Sequence, residues 1–327
     1  MASPRVLITG ITGFVGSHFA EYAIGLGADV WGSYRERSKT DNIDHIRDRL
    51  HLVVSDLRDR SSVQVLIEEA KPDYIVHLAG QSYVVASWLA PTETLCTNAL
   101  SQLNILETIR PRKGKAPRFL AIGSSQEYGL VNEDELPVRE TNPLRPLSPY
   151  AVSKVTQDLM GYQYFEQYGV PIVRTRAFNH EGPRRGDVFM TSNFAQQIAE
   201  IELGKRPPVI SVGNLRPRRD FTDVRDIVRG YWRLLEAGQP SEVYNLCSGR
   251  EWVVHDVLDF MLSQSSVPGI QVKEDPSRLR PSDVPVLVGD AGKIEHAVGW
   301  TAQIPFEQTL RDLLDYWRGR VRHPDSS

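Results

Sequence analysis

The chain of 327 residues has little cysteine, only Cys96 and Cys247, and no apolar run near the roughly 18 residues a membrane helix needs. Both thiols sit in apolar sequence without His or Cys neighbours at zinc spacing, so both are expected to be buried and free. The eight histidines are scattered and form no pair four apart around a carboxylate, so no metal site is expected. An excess of one charge sign is missing too. The 38 Lys and Arg stand against 41 Asp and Glu, a net charge of −3, which gives no electrostatic case for nucleic acid or anionic membrane. The start, MASPRVLITG, runs straight into a strand pattern with no leader-like charged and apolar regions, so a soluble cytoplasmic protein is expected.

What is present is alternation. The apolar runs RVLIT, DVWGSY, LHLVVSD, YIVHLAG and RFLAIGSS are separated by helical patterns at 14–26, near 43–49, at 62–70 and at about 91–110. Continuous apolar strands between helices imply a parallel sheet covered on both faces, a doubly wound (Rossmann) α/β fold. The second half is less regular: PIVRTRAFN and EVYNLCSG read as strands, DFTDVRDIVRGYWRLLEAG as a strand end entering a helix, and 193–203, 254–264 and 305–318 as helices. The Arg/Pro/Gly cluster at 180–187 marks a crossing into a smaller mixed α/β substrate domain. The expected division is 1–178 with 219–250 for the nucleotide-binding domain, and 179–218 with 251–327 for the other.

Two constellations carry chemistry. In TGITGFVG, Gly10, Gly13 and Gly16 follow the first strand and open a helix. Backbone N–H groups can then approach a pyrophosphate at the helix N-terminus, so a dinucleotide is expected there. Asp56, ending VVSD, suits the adenine side, or else caps the following helix. After the second strand, Ser33, Arg35 and Arg37 favour a ribose 2′-phosphate over the single displaced acid Glu36, so NADP(H) is expected ahead of NAD(H). The second constellation is Ser124 at a strand end with Tyr150 and Lys154 one helical turn apart in SPYAVSK. An ammonium beside a phenol should lower its pKa and let Tyr150 exchange a proton with a sugar oxygen, while Ser124 hydrogen-bonds the same oxygen.

Together TGxxGFVG, HLAGQS, Thr97–Asn98, GSSQEYG and Y-x-x-x-K resemble the extended short-chain dehydrogenase/reductases. RTRAFNHEGPRRG, VGNLRPRRDFTDVRDIV, YNLCSG and RPSDVPVLVGD are similar to enzymes of GDP-linked sugars, the 6-deoxy-D-mannose reductases and mannose 4,6-dehydratases. The resemblance implies cofactor contacts also at Phe14, Val15, Leu57, Leu78, Ala79 and Gly80. It implies substrate contacts at Ser125, Gln126, Asn179, Arg219, Arg280 and Asp283, the last four around the nucleotide diphosphate and ribose. The dehydratase pattern has Lys where this chain has Asn193, which puts that phosphate contact in question. The dehydratases also carry Glu where this chain has Gln126. Losing water across C5–C6 needs an acid–base group there, and a carboxamide is none. Glu127, adjacent on an extended segment, should point the other way. The expectation is an NADPH-dependent 4-keto reductase acting on a GDP-sugar, with a 4,6-dehydratase, a 4-epimerase or a non-enzymatic NADP(H) sensor as rivals. The resemblance further implies a homo-oligomer built on the helices near 91–110 and at Tyr150. The loop at 35–43 resembles a segment that reaches a neighbouring subunit, leaving dimer and tetramer both open.

Overall fold

The computed structural model describes residues 3–110, 116–278 and 284–323. Seven strands form the main sheet: β1 (Arg5–Thr9), β2 (Asp29–Tyr34), β3 (His51–Val54), β4 (Tyr74–His77), β5 (Arg118–Ser124), β6 (Ile172–Ala177) and, later in the chain, β10 (Val243–Leu246). Their order is β10-β6-β5-β4-β1-β2-β3, and every neighbouring pair is parallel. The order reverses between β1 and β4, so a crevice opens at the strand C-termini there.

The strands read as unbroken apolar runs because both faces are covered. Val6 and Ile8 of β1 pack on one side with Phe19 and Ala20 of α1 (Phe14–Gly25) and with Trp232 of α8 (Val224–Ala237). Leu7, between them, points to the other side, against α2 (Arg60–Ala70), α5 (Ser101–Ile109) and Tyr164 of α6 (Pro149–Tyr168). Each fully buried large aliphatic side chain here is worth about 1.5–3 kcal/mol of transfer free energy. The helical pattern at 91–110 is one continuous rod. It starts after the short α3 (Val84–Leu89) as α4 (Pro91–Leu95), passes through a π-helical stretch at Cys96–Leu100 and continues as α5. Cys96 is exposed on that stretch and Cys247 is buried, so only one of the two thiols follows the sequence expectation.

A second layer is built on short strands. β7 (Asn179–Glu181), β9 (Arg218–Asp223), β11 (Glu251–Val253) and β13 (Val286–Leu287) form one sheet, and β8 (Val209–Val212) pairs with β12 (Gln271–Glu274). Phe194, Ile198, Val257, Leu258, Leu310 and Leu313 make its core, from α7 (Met190–Glu202), α9 (Val254–Ser263) and α11 (Phe306–Arg322). Two stretches cross the expected division. Residues 219–223 lie in this second sheet, whereas Ile294 of α10 (Gly292–Val298) and Trp300 pack into the core of the first. None of the described helices is long and apolar enough to cross a membrane.

Candidate active site

At the end of β1 the chain turns through Gly10, whose φ of +70° suits glycine. A Cβ at Gly10 would stand 2.9 Å from Ala79 Cα, and one at Gly16 would drive into the Gly10 carbonyl oxygen. Gly13 is the N-cap of α1, with no capping side chain and no acid in the first turn, so the head of the helix is left to an anionic ligand. A cleft of about 230 Å³ lies in front of this turn. Of the expected cofactor residues, Gly10, Gly13, Arg35, Asp56, Leu57, Leu78, Ala79 and Gly80 line it, joined by Ser33 and Ser38. Phe14, Val15 and Gly16 lie behind it in α1, and the Phe14 ring stacks on His180 at 6.1 Å. Asp56 takes a forked contact from Arg58, with Nη2 to Oδ2 at 2.9 Å, which holds its carboxyl below the usual range. It does not cap α2. That role belongs to Asp59, which accepts from the Ser61 and Ser62 N–H groups. The glycine cradle, uncapped helix and cationic rim fit a nicotinamide dinucleotide.

At the far end stand Ser124, Tyr150 and Lys154, all at least nine-tenths buried. Ser148 caps α6 through the Ala151 N–H and Pro149 fills the first turn, which sets Tyr150 and Lys154 on its inward face. Burial pushes the Tyr150 phenol up to about 12, against a hydrogen bond from Ser124 that pulls it down. Burial also pulls the Lys154 ammonium down to about 8, and it donates to the Ile122 carbonyl at 2.8 Å. The expected lowering of the phenol is therefore reversed here. Desolvation acts on both groups, and the ammonium spends its hydrogen bond on the backbone of β5.

Other residues here lie in motifs the sequence marked, but no role was expected of their side chains. Arg184 has φ +74°, a left-handed turn that sends it and Arg185 in opposite directions. Arg184 grips Glu21 of α1 and the Asn42 carbonyl. Arg185 turns inward toward Tyr150, 3.5 Å over the Phe189 ring and 3.5 Å from Glu181, with its buried Nε making no hydrogen bond. Asn98, in the π-helical stretch, accepts from the Gln81 N–H at 2.8 Å and donates to Ser153 on α6. The loop expected to reach a neighbour is tied to its own chain from Asp41 on. Asp41 pairs with Arg320, Asn42 bonds the Thr12 carbonyl, and Ile43 is fully buried.

The match to known proteins covers nearly the whole chain: the model for GDP-mannose 4,6 dehydratase fits residues 7–313. The chain belongs to that family. Within it, similarity does not separate two activities. The GDP-6-deoxy-D-mannose reductase of Pseudomonas aeruginosa is 33% identical over 97% of this chain and 98% of its own. The GDP-mannose 4,6-dehydratase of Yersinia enterocolitica is 32% identical over 95% and 92%. Among solved structures, RMD from Pseudomonas aeruginosa complexed with NADPH superposes with a TM-score of 0.83 at 32% identity, covering 97% of this chain and all of that one. Fold and family agree with the extended short-chain dehydrogenase/reductase resemblance.

Two of the residues expected at the substrate lie on strands of the second sheet. Asn179 on β7 donates to the Asp220 carbonyl, and Arg219 on β9 reaches the Arg218 carbonyl. Asp220 is no ion-pair partner of Arg219. Its carboxylate accepts from the Ser248 and Gly249 N–H groups and from the Ser248 hydroxyl, stitching the end of β10 to β9. Asn193 accepts from Arg278 at 2.5 Å, so a cation stands beside the position where the dehydratase pattern has lysine. Arg280 and Asp283 lie outside the described residues. Ser125 is buried and Gln126 half-buried on a 3-10 turn, Ser125–Glu127, where an extended segment was expected. Glu127 is still turned away from Gln126, because the turn folds its carboxyl back under the Ser124 N–H at 2.7 Å.

Proposed function

We propose that the protein reduces the C4 keto group of a GDP-4-keto-6-deoxyhexose, using NADPH, to a GDP-6-deoxy sugar of the GDP-D-rhamnose type. The observation that carries this reading is the acid–base inventory at the sugar end. Ser124, Tyr150 and Lys154 are complete, whereas position 126 holds a carboxamide and the neighbouring carboxyl of Glu127 is sealed beneath Ser124. Reduction needs a proton donor at O4, and elimination of water needs an additional proton exchanger at C5–C6.

The glycine turn, Ser33 and Arg35 would hold NADPH, which would supply a hydride to C4. Tyr150 enters protonated, as its raised pKa requires, and passes its proton to O4 as the alkoxide develops. Ser124 holds O4 by hydrogen bonding. The positive charges of Lys154 and Arg185 offset the phenolate left on Tyr150. Asn179, Arg219, Arg280 and Asp283 would hold the GDP portion.

A second reading, the 4,6-dehydratase, has one observation in its favour: the two activities stand at nearly equal identity among the relatives. The experiment that separates them follows the absorbance of reduced nicotinamide with the GDP-4-keto-6-deoxy sugar and, separately, with GDP-mannose. NADPH consumption with the keto sugar alone supports the reductase. Conversion of GDP-mannose to a keto sugar without net change of cofactor overturns it. We also infer a homodimer. Leu95 and Leu100 of the α4–α5 rod and Val152, Leu159 and Tyr162 of α6 form an exposed apolar face at helical spacing.

A further inference from the structure

The chemistry above leaves a buried charged chain behind the site unused. Tyr150, Lys154 and Asp158 follow one another at four-residue spacing on one face of α6, yet Asp158 faces away from the cleft into the core. Its carboxylate is gripped by Arg174 of β6 and by Arg176, whose Nε and Nη2 lie 2.8 and 2.6 Å from Oδ2. The same Arg176 Nε stands 3.3 Å from Glu127 Oε2. Glu127 is wholly buried, and its Oε1 accepts the Ser124 N–H at 2.7 Å while Ser124 Oγ accepts the Gln126 N–H at 3.2 Å. Gly123 completes the arrangement, since a Cβ there would run into the Glu127 carboxyl and the Thr175 carbonyl.

We propose that Glu127 is a positioning residue: held through Arg176 by Asp158 of α6, it fixes the Ser124 turn against the Tyr150 hydroxyl. The proposal rests on the reductase reading above. Ser124 leaves the sheet on β5, while Tyr150 and Lys154 arrive on α6, more than twenty residues later. Their mutual placement is therefore set through space, and the Glu127–Arg176–Asp158 chain is a direct polar link between the two elements. Burial, reinforced by Asp158, pushes the Glu127 carboxyl well above the usual range. Arg176 and Arg174 outweigh burial at Asp158 and hold it below that range. A Gln side chain keeps the carbonyl oxygen that accepts the Ser124 N–H, the contact that sets the turn, and gives up only the charge toward Arg176. Misplacing Ser124 costs the chemical step and leaves cofactor and sugar binding in place.

Three variants test this in the keto-sugar assay: Glu127→Leu, Glu127→Asp, which draws the carboxyl back by one methylene, and Glu127→Gln. Glu127→Leu and Glu127→Asp are expected to lower kcat about tenfold or more, with KM for the sugar and Kd for NADPH within about twofold. Glu127→Gln should return kcat to within about threefold of the parent. Combined with Ser124→Ala, neither Leu nor Asp should slow the enzyme further, because both act through Ser124. Losses that multiply in the double variants, or a Gln variant no better than Leu, overturn the proposal. Should Glu127→Leu fail to fold, the Asp and Gln variants carry the same comparison. If the parent converts only GDP-mannose, it is the reductase reading that falls, and the same comparisons are then read in that conversion.

Discussion

Tyr150 and Lys154 show how a residue's chemistry is set by its surroundings. Both are removed from water, and burial moves them toward their neutral forms, a phenol near 12 and an amine near 8. Removing the Tyr150 hydroxyl in Tyr150→Phe should cost about 10²–10⁴ in kcat while NADPH binding persists, which titration of cofactor fluorescence checks. Lys154 gives a pH prediction with a definite sign. It is charged below about pH 8 and neutral above, so kcat should hold at neutral pH and fall as pH rises through about 8. Lys154→Arg keeps its charge and should lose that limb from the kcat profile. An unchanged limb in the Arg variant would assign the titration elsewhere. Ser124, Tyr150 and Lys154 were legible in the sequence because their spacing is local to one strand end and one helix. Arg185 and Glu127 were not, since their roles follow from a left-handed turn at Arg184 and a 3-10 turn at 125–127.

Among the elements, the β1–α1 turn is the most tightly determined. Gly16→Ala places a methyl in the Gly10 carbonyl and against Ile11 Cα at 2.9 Å. Overpacking of this kind costs about 1–3 kcal/mol, and here it also shifts the N–H groups meant for the pyrophosphate. The expected outcome is a lowered melting temperature and at least about tenfold weaker NADPH binding, about 1.4 kcal/mol, measured by calorimetry. The helices α4, α5 and α6 make a second test. Leu159→Asp puts a charge in the centre of their exposed apolar face and should shift the protein from dimer to monomer in sedimentation, leaving the fold intact. Strands and helices of the first sheet were legible from their unbroken apolar runs. β7, β11 and β13 were not, because segments of two or three residues carry too little pattern.

For the whole molecule, His77 and His18 couple the fold to pH. Burial takes His77 down to about 3. Burial, with Arg184 alongside, takes His18 down to about 4. The unfolded chain binds protons at these sites from pH 6.5 downward, whereas the folded protein does not. Their contribution is therefore whole above pH 6.5 and is lost as pH falls toward 4, at roughly 1.4 kcal/mol per pH unit for each. The test compares the parent with His77→Gln, which lacks the titrating group. The parent's urea midpoint should drop relative to the variant's as pH falls from 7 to 5, since Asp220, Glu127 and Glu181, whose carboxyls burial raises, titrate alike in both. A difference between parent and variant that does not change with pH would mean that the His77 imidazole is protonated in the folded state.

The alternation of apolar strands with helices, the glycine turn and the spacing of Tyr150 and Lys154 were determined by the sequence alone, because each is written in a short repeat or spacing that local physics reads directly. What the tertiary structure decided lies between segments. It put Arg185 rather than Arg184 at the phenol, tied the loop after β2 to its own α11, and left Cys96 exposed. It also joined Glu127 to Asp158 across two elements. Those outcomes depend on which buried charges meet. In a densely packed interior that is fixed by the path of the backbone, which no local pattern specifies.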